Sequence, residues 1–511
     1  MDNDIWLPRF DVSAENDDEL LDYFFQTNFI DDLLKSKKWM VLGRKGTGKT
    51  AIYQYLKSLD NPKDKFNIIP LNFKEYPWPI HSLYKENMEG FTSTYSKSWK
   101  YLFIINSVSK LINIQEKEGN LNKELKDAKK VLETIYGNPT PSITEVIKSK
   151  IGRIKELKLP SVDLGDYSAT LGELSFDEIS ISETLKSQLR INAFQLLSYF
   201  EKIFLNNSKE RIFIILDQLD ENWISHNINE YSNILINLIN ISNNINSSNE
   251  FKNRLKIIVF LRSDIYSTLI FNDKNKILED GAITIQWDFD ALNDMFFERI
   301  KKFKPIDLII EPSEKSNCVF VNKNVRRRSK PINHIINRTF YRPRDLISYF
   351  NKIRECHHNK QESNNPNRDT NYNRKISRRL YTNEDIYEAD HKYSVSLYEE
   401  LLDEWVNQKP DIKNYLSILQ NIGLLSFDYT DYSNTYLKIY GESSKADIEN
   451  SLDFLFQNSI IGQKYSNKYI YSCMKPNILI DINKPFHVNE GLKSKLKLTE
   501  NRTSRDLGSF P

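Results

Sequence analysis

A chain of 511 residues, 40% hydrophobic and 12% aromatic, has the length for roughly two to four domains and enough apolar side chains to bury real cores. Lys and Arg total 71 against 69 Asp and Glu, so a net charge of +2 excludes any global charge argument for nucleic acid and leaves local clusters to speak. The three cysteines, Cys318, Cys356 and Cys473, are far apart and in no metal-ligand spacing, which excludes a disulfide framework and a zinc site and fits reduced cytosolic thiols. The chain opens Met1-Asp2-Asn3-Asp4 without a basic or apolar run, and no apolar stretch approaches the roughly 20 residues of a membrane span. The expected location is the cytoplasm, with no membrane partner.

Apolar positions at helical spacing from Leu20 to Leu34 predict one or two lead-in helices. Lys38 to Leu42 then reads as a short buried strand, followed by Gly43-Arg44-Lys45-Gly46-Thr47-Gly48-Lys49-Thr50 and a helix from Ala51. This is the phosphate-loop pattern in its required setting. Glycines let consecutive backbone N–H groups turn inward around phosphates, Lys49 adds a mobile positive charge, and Thr50 offers a hydroxyl to Mg2+. Residues Gly43 to Ala51 are therefore the expected nucleotide-binding segment, with a nucleoside triphosphate and Mg2+ as the ligands.

Asn67 to Phe73 predicts a second strand, Arg211 to Leu216 a third, Leu255 to Leu261 a fourth and Ala282 to Trp287 a fifth. Strands alternating with helices, the first ending in a phosphate loop, indicate an α/β fold with a mostly parallel sheet. The gap over residues 75–205 is too long for one crossover and predicts a helical insertion. Its helical patterns run from Tyr95 to Ile112, Glu124 to Tyr136, Ile143 to Leu157 and Ser182 to Leu205, with a polar link at Pro160, Gly165 and Gly172.

The third strand ends in Asp217, followed by Asp220 and Glu221. Asp217 is placed to hold Mg2+ opposite Thr50, and either Asp220 or Glu221 to orient or deprotonate the attacking water. At the end of the fourth strand, Arg262, Ser263 or Asp264 suits a sensor of the terminal phosphate. Further on, Tyr341-Arg342-Pro343-Arg344-Asp345 puts two arginines around a proline at a helix start, where Arg344, or alternatively Arg342, can reach a phosphate.

Residues 356–380 are polar and basic and predict an exposed linker, in which His357 and His358 form a solvated pair. Helices are expected from Glu384 to Asn407, Ile412 to Asn421 and Lys445 to Gln457, followed by a two-stranded wing over Ile460 to Cys473 around Ser466-Asn467. The expected organisation is lead-in helices and the first part of the core at 1–74, an insertion at 75–205, the rest of the core at 206–300, a helical lid at 301–355, the linker, a winged-helix-like domain at 381–499 and a disordered tail at 500–511. Local basic clusters, Arg326, Arg327, Arg328 and Lys330 together with Lys375, Arg378 and Arg379, are suited to DNA phosphates.

In their order, GRKGTGKTA, LDQLDE, LRSD and RPRDLI resemble bacterial P-loop ATPases of the STAND and AAA-like class, related to the NACHT and origin-recognition types. The resemblance covers about residues 15–355. It implies an ATPase core of five strands, a helical lid and a winged-helix tail, used as a regulated switch that homo-oligomerises or controls a partner effector, in many cases in anti-phage defence. Gln218 departs from the small residue that NACHT-type proteins usually carry there, and the insertion is longer than a minimal core allows. The alternative function is an initiator-like, ATP-dependent DNA-binding protein. The GTPase base-reading motif Asn-Lys-x-Asp is absent, as is a nuclease-like carboxylate cluster.

Overall fold

The computed structural model describes residues 7–27, 29–61, 66–74, 76, 78, 81, 95–147, 196–220, 228–303, 315–363, 381–406, 408–466, 468–476 and 478–500. The chain divides into two compact units, residues 27–44 with 49–285, and residues 1–26 with 45–48 and 286–511. Each has its own hydrophobic core.

The first unit is built on a five-stranded parallel sheet of order β2-β3-β4-β1-β5. Its strands are β1 (Met40–Gly43), β2 (Asn67–Asn72), β3 (Ile212–Asp217), β4 (Leu255–Arg262) and β5 (Ala282–Thr284). Every residue of β1, β3 and β4 is buried, which is why these strands read as continuous apolar runs: helices cover both faces and leave no side to alternate toward water. β4 pairs with both β1 and β3, so the strand carrying Asp217 and the strand opening the loop each border the one that ends in Arg262. Helix α1 (Phe29–Lys35) precedes β1 and α2 (Lys49–Ser58) follows it.

Within the expected insertion, α3 (Ser96–Lys117) is long and buried over most of its length, and α4 (Lys123–Tyr136) is amphipathic. The Asn122 side chain caps α4 by accepting from the Leu125 amide, and Gly137 at φ 75° closes it in the left-handed conformation that glycine adopts without strain. Helix α5 (Ile143–Ile147) is the described part of the helix expected to Leu157, and residues 196–207 are the described part of the next. The link between them lies outside the described residues. Helix α6 (Ile228–Ser247) is the crossover from β3 to β4, and α7 (Ser263–Thr268) and α8 (Lys274–Gly281) lead to β5. The core runs from Trp39 through the sheet to Trp99, Phe103 and Phe204.

The second unit contains α9 (Phe289–Phe303), α10 (Pro331–Ile336), α11 (Pro343–Ser363) and α12 (Asn383–Trp405). After these come α13 (Ile412–Ile422), β6 (Ser426–Phe427), α14 (Tyr429–Tyr440), α15 (Lys445–Gln457), β7 (Ile461–Tyr465), β8 (Lys468–Ile470) and β9 (Phe486–Val488). The four short strands form an antiparallel sheet of order β6-β9-β7-β8. The expected turn between β7 and β8 is present, with Ser466 at φ 53°.

Two local expectations differ from the structure. Helix α11 continues to Ser363, eight residues into the segment expected as a linker, because Cys356 is an apolar anchor of this unit's core and His357 Nδ1 lies 2.8 Å from Asp385 Oδ2. His357 is therefore a hydrogen-bond partner of Asp385 on a helix and not part of a solvated loop pair. The rest of that segment, with Lys375, Arg378 and Arg379, lies outside the described residues, as does the tail from 501. Helix α14 was not expected at all. Its four tyrosines and β-branched threonines are poor helix formers, but Asp428 and Asp431 form a capping box that starts it.

Candidate functional site

β1 ends at Gly43 and α2 starts at Lys49, so the intervening residues form the loop that the sequence pattern requires. Gly46 and Gly48 have φ of 83° and 94°, in the region where a side chain is strained, which explains glycine at both positions. In the sheet unit, Lys49 Nζ donates to the carbonyls of Gly43 at 2.9 Å and Arg44 at 3.0 Å. Burial holds the Lys49 ammonium below its ordinary pKa, opposed by the negative charges of Asp220 and Asp217.

Asp217, at the tip of β3, is 3% exposed. It accepts a hydrogen bond from the Thr50 hydroxyl, while its Oδ2 is buried without a hydrogen-bond partner. Burial pushes its carboxyl up to about 6, against the backbone amide of Gln218, the charge of Lys49 and the Thr50 hydroxyl, all of which favour the ionised form. A buried, under-coordinated carboxylate oxygen beside a threonine hydroxyl is the donor set a hard divalent cation takes, so Thr50 and Asp217 fit Mg2+. Gln218 stands at φ 62°. A small residue would adopt this left-handed conformation with less crowding, so the departure at Gln218 places a strained residue directly after the buried aspartate.

Arg262, at the tip of β4, is 7% exposed and donates to Asp264 from Nε at 3.1 Å and Nη2 at 2.6 Å. Its Nη1 lies 3.7 Å from Asp220 Oδ2. The Arg262 bond and charge keep the Asp264 carboxyl low although burial alone would raise it. The intercalation of β4 thus brings Arg262 to the acidic turn, and Ser263 starts α7. Glu221 lies outside the described residues.

The loop's middle, residues 45–48, groups with the second unit, where donors of that unit hold three successive carbonyls. Arg342 Nη1 donates to Lys45 O at 3.1 Å, the Arg344 amide to Gly46 O at 3.4 Å and Trp287 Nε1 to Thr47 O at 2.9 Å. The Arg344 side chain lies along Gly46, where an added Cβ would come 3.1 Å from Arg344 Cβ. Among the described residues its guanidinium has no carboxylate within ion-pair distance, whereas Arg342 is enclosed. Arg342 Nε donates to both oxygens of Asp345 at 3.0 Å, and Nη1 also donates to Glu404 Oε2 at 3.0 Å. Burial would lower the Arg342 pKa, but Asp345 and then Glu404 outweigh it and keep the cation. The two arginines of the RPRD motif therefore have different tasks.

The geometry brings together Lys49, Thr50, Asp217, Asp220 and Arg262 in one unit, and Lys45 to Thr47 with Arg342 and Arg344 in the other. Sequence reading missed Trp287 and Glu404. A tryptophan three residues after a strand and a glutamate inside a helix carry no local signature, and only the fold makes them neighbours of the loop.

A family model described as the FunZ-associated C-terminal helical domain matches residues 290–402. That match spans α9 to most of α12. No curated protein matches the chain in sequence. Among solved structures, Cdc6p from Pyrobaculum aerophilum aligns over 96% of this chain and 96% of its own, at 11% identity and a TM-score of 0.28. A Walker-type ATPase of Pyrococcus abyssi aligns over 96% and 99%, at 13% identity and 0.39. The Aeropyrum pernix ORC1 protein in complex with DNA aligns over 95% and 93%, at 10% identity and 0.35. At TM-scores this low these likenesses carry no argument, and the α/β assignment rests on the sheet order and the loop between β1 and α2.

Proposed function

We propose that this chain is an ATP-binding and slowly ATP-hydrolysing molecular switch. The observation that carries this reading is the buried Asp217 carboxylate, with an oxygen lacking a partner, hydrogen-bonded to Thr50 at the start of the helix that follows a left-handed glycine loop. Amides of the loop and the N-terminus of α2 bind phosphate oxygens, and Lys49 exchanges its carbonyl partners for them. Thr50 and Asp217 would hold Mg2+, which would neutralise charge on the phosphates. Asp220 or Glu221 orients the attacking water and Arg262 answers the terminal phosphate; Arg344, in the segment expected as a helical lid, is a further candidate for phosphate contact. Hydrolysis then alters what the arginines hold, and with it assembly or a partner effector. A role in bacterial anti-phage defence follows from the resemblance of the motif series.

The test is size-exclusion with light scattering, together with ATP turnover, on the wild type and the Lys49→Ala and Asp217→Asn variants, with and without ATP and Mg2+. Wild-type turnover that both variants abolish is the expected result; equal turnover in all three refutes it.

The alternative is an initiator-like, ATP-dependent DNA-binding protein. It is favoured by the helix, strand, helix, helix and hairpin succession from α13 to β8, which supports the winged-helix-like reading, and by the exposed Arg326 and Arg328. On this reading duplex affinity falls steeply from low to moderate salt. No duplex binding at low salt removes it.

A further inference from the structure

We propose that Glu404 is a positioning residue for the phosphate loop, acting through Arg342; this rests on the ATP-binding reading of the loop. Glu404 lies near the C-terminal end of α12, more than 350 residues from the loop in sequence, and is 7% exposed. Its only described route to the loop is one guanidinium. Arg342 Nη1 is shared between Glu404 Oε2 at 3.0 Å and Lys45 O at 3.1 Å, while the Nε edge is fastened to Asp345. Asp345 fixes one edge of the planar fork, and Glu404 fixes the other. With the fork pinned at both edges, the second hydrogen of Nη1 has one direction left, and that direction is the Lys45 carbonyl.

The consequence lies in peptide geometry. In a trans peptide the C=O and the N–H of the next residue point in opposite directions within one plane. Holding the carbonyls of Lys45, Gly46 and Thr47 therefore fixes the directions of the amides of Gly46, Thr47 and Gly48, each opposite to the carbonyl before it. Those amides are the ones a phosphate-binding nest needs aligned before the ligand arrives. Glycines make this loop permissive, so an external hold is required to keep it in one conformation. The pair of Arg342 and Glu404 supplies the first of the three anchors, and it ties the loop to α12. Glu400, one turn earlier on α12, feels the charges of both Arg342 and Arg344, and burial followed by Asp345 raises its pKa. The same helix therefore presents acidic groups to both arginines of the motif, one enclosed and one with its guanidinium open.

The experiment uses the full chain with Glu404→Gln, Arg342→Lys, the double variant, and Glu399→Gln as a control on an exposed neighbouring position of α12. ATP affinity is measured by calorimetry, turnover by phosphate release, and loop order by amide hydrogen exchange of residues 45–48 without nucleotide. Glu404→Gln and Arg342→Lys each weaken ATP binding about tenfold or more, with kcat at saturation changed less than about twofold. Both speed exchange of the loop amides, and the double variant is no worse than the stronger single one. Glu399→Gln behaves as wild type. ATP affinity and loop exchange unchanged in folded Glu404→Gln, or losses that multiply in the double variant, overturn the proposal. If Glu404→Gln does not fold, Glu404→Asp keeps the charge and shortens the reach; wild-type affinity and exchange in that variant also overturn it. A wild type that binds no ATP ends the ATP reading, whereas loop exchange in the nucleotide-free protein still decides whether Glu404 holds the loop.

Discussion

Asp217 and Asp345 are buried aspartates, 3% and 0% exposed, one in each unit, and their oxygens are used differently. Asp345 commits both to Arg342 and to the Phe340 amide, inside a cluster closed by Glu404. Asp217 keeps one oxygen without a partner although a lysine, a threonine and a backbone amide surround it. Burying an unmatched carboxylate oxygen costs stability, and a closed ion cluster recovers that cost only when every donor and acceptor is matched. The difference separates a group that holds the protein in shape from one whose coordination a ligand completes. Position at an element's end does not distinguish them, since Asp217 ends a strand and Asp345 sits in the first turn of a helix.

This contrast breaks most visibly at Arg342. Arg342→Ala leaves Asp345 and Glu404 facing each other in the interior and should destabilise the protein by about 3–5 kcal/mol in denaturant titration. A loss below about 1 kcal/mol would show that the cluster is not closed. Next in size is Lys49→Ala, which should weaken ATP binding on the order of 100-fold by calorimetry while leaving the melting temperature of the nucleotide-free protein nearly unchanged.

Asp217→Asn tests the opposite side of the comparison, and its sign differs from that of an ordinary ion-pair deletion. The carboxyl is raised from 3.8 to about 6, so the native state holds the proton more tightly than the unfolded chain. Stability from this group is present below pH 3.8 and is lost as pH rises to about 6. The asparagine variant without nucleotide should therefore be more stable than wild type by about 3 kcal/mol above pH 7, with the gain fading below about pH 4. The same variant should lose the Mg2+ dependence of ATP binding. A destabilised variant at pH 8 would mean that Asp217 is a structural partner like Asp345. The smallest effect calibrates the rest: Asn122→Ala removes the cap of α4 in the sheet unit and should cost about 1 kcal/mol without changing ATP affinity.

Much of the sheet unit was legible because its signals are local. IFIILD and LKIIVFLR are strands on any reading, and the loop glycines are required by positive φ in adjacent turns. Thr50 and Asp217 were legible for the same reason, since each sits where a strand or loop meets a helix. The order of the strands was not, because the placement of β4 between β1 and β3 depends on pairing between distant segments. In the second unit the RPRD motif was visible, but the division of labour between Arg342 and Arg344 was not. It depends on Glu404, which comes into contact only when α12 packs beside α11. The helix at Tyr429–Tyr440 was missed for want of an apolar stripe, although its Asp-x-x-Asp start was present in the sequence.

Residues 7–26 belong with the core of the second unit, and Phe10 shows how firmly. Its amide donates to Asn351 Oδ1 at 3.1 Å, its carbonyl accepts from Asn351 Nδ2 at 2.8 Å, and its ring packs on Phe296 and Phe350. During synthesis from the N-terminus, these three partners of Phe10 emerge only after the whole sheet unit has been made. Residues 27–285 can acquire their shape while the first segment waits, and the segment translated early is among the last to find its place.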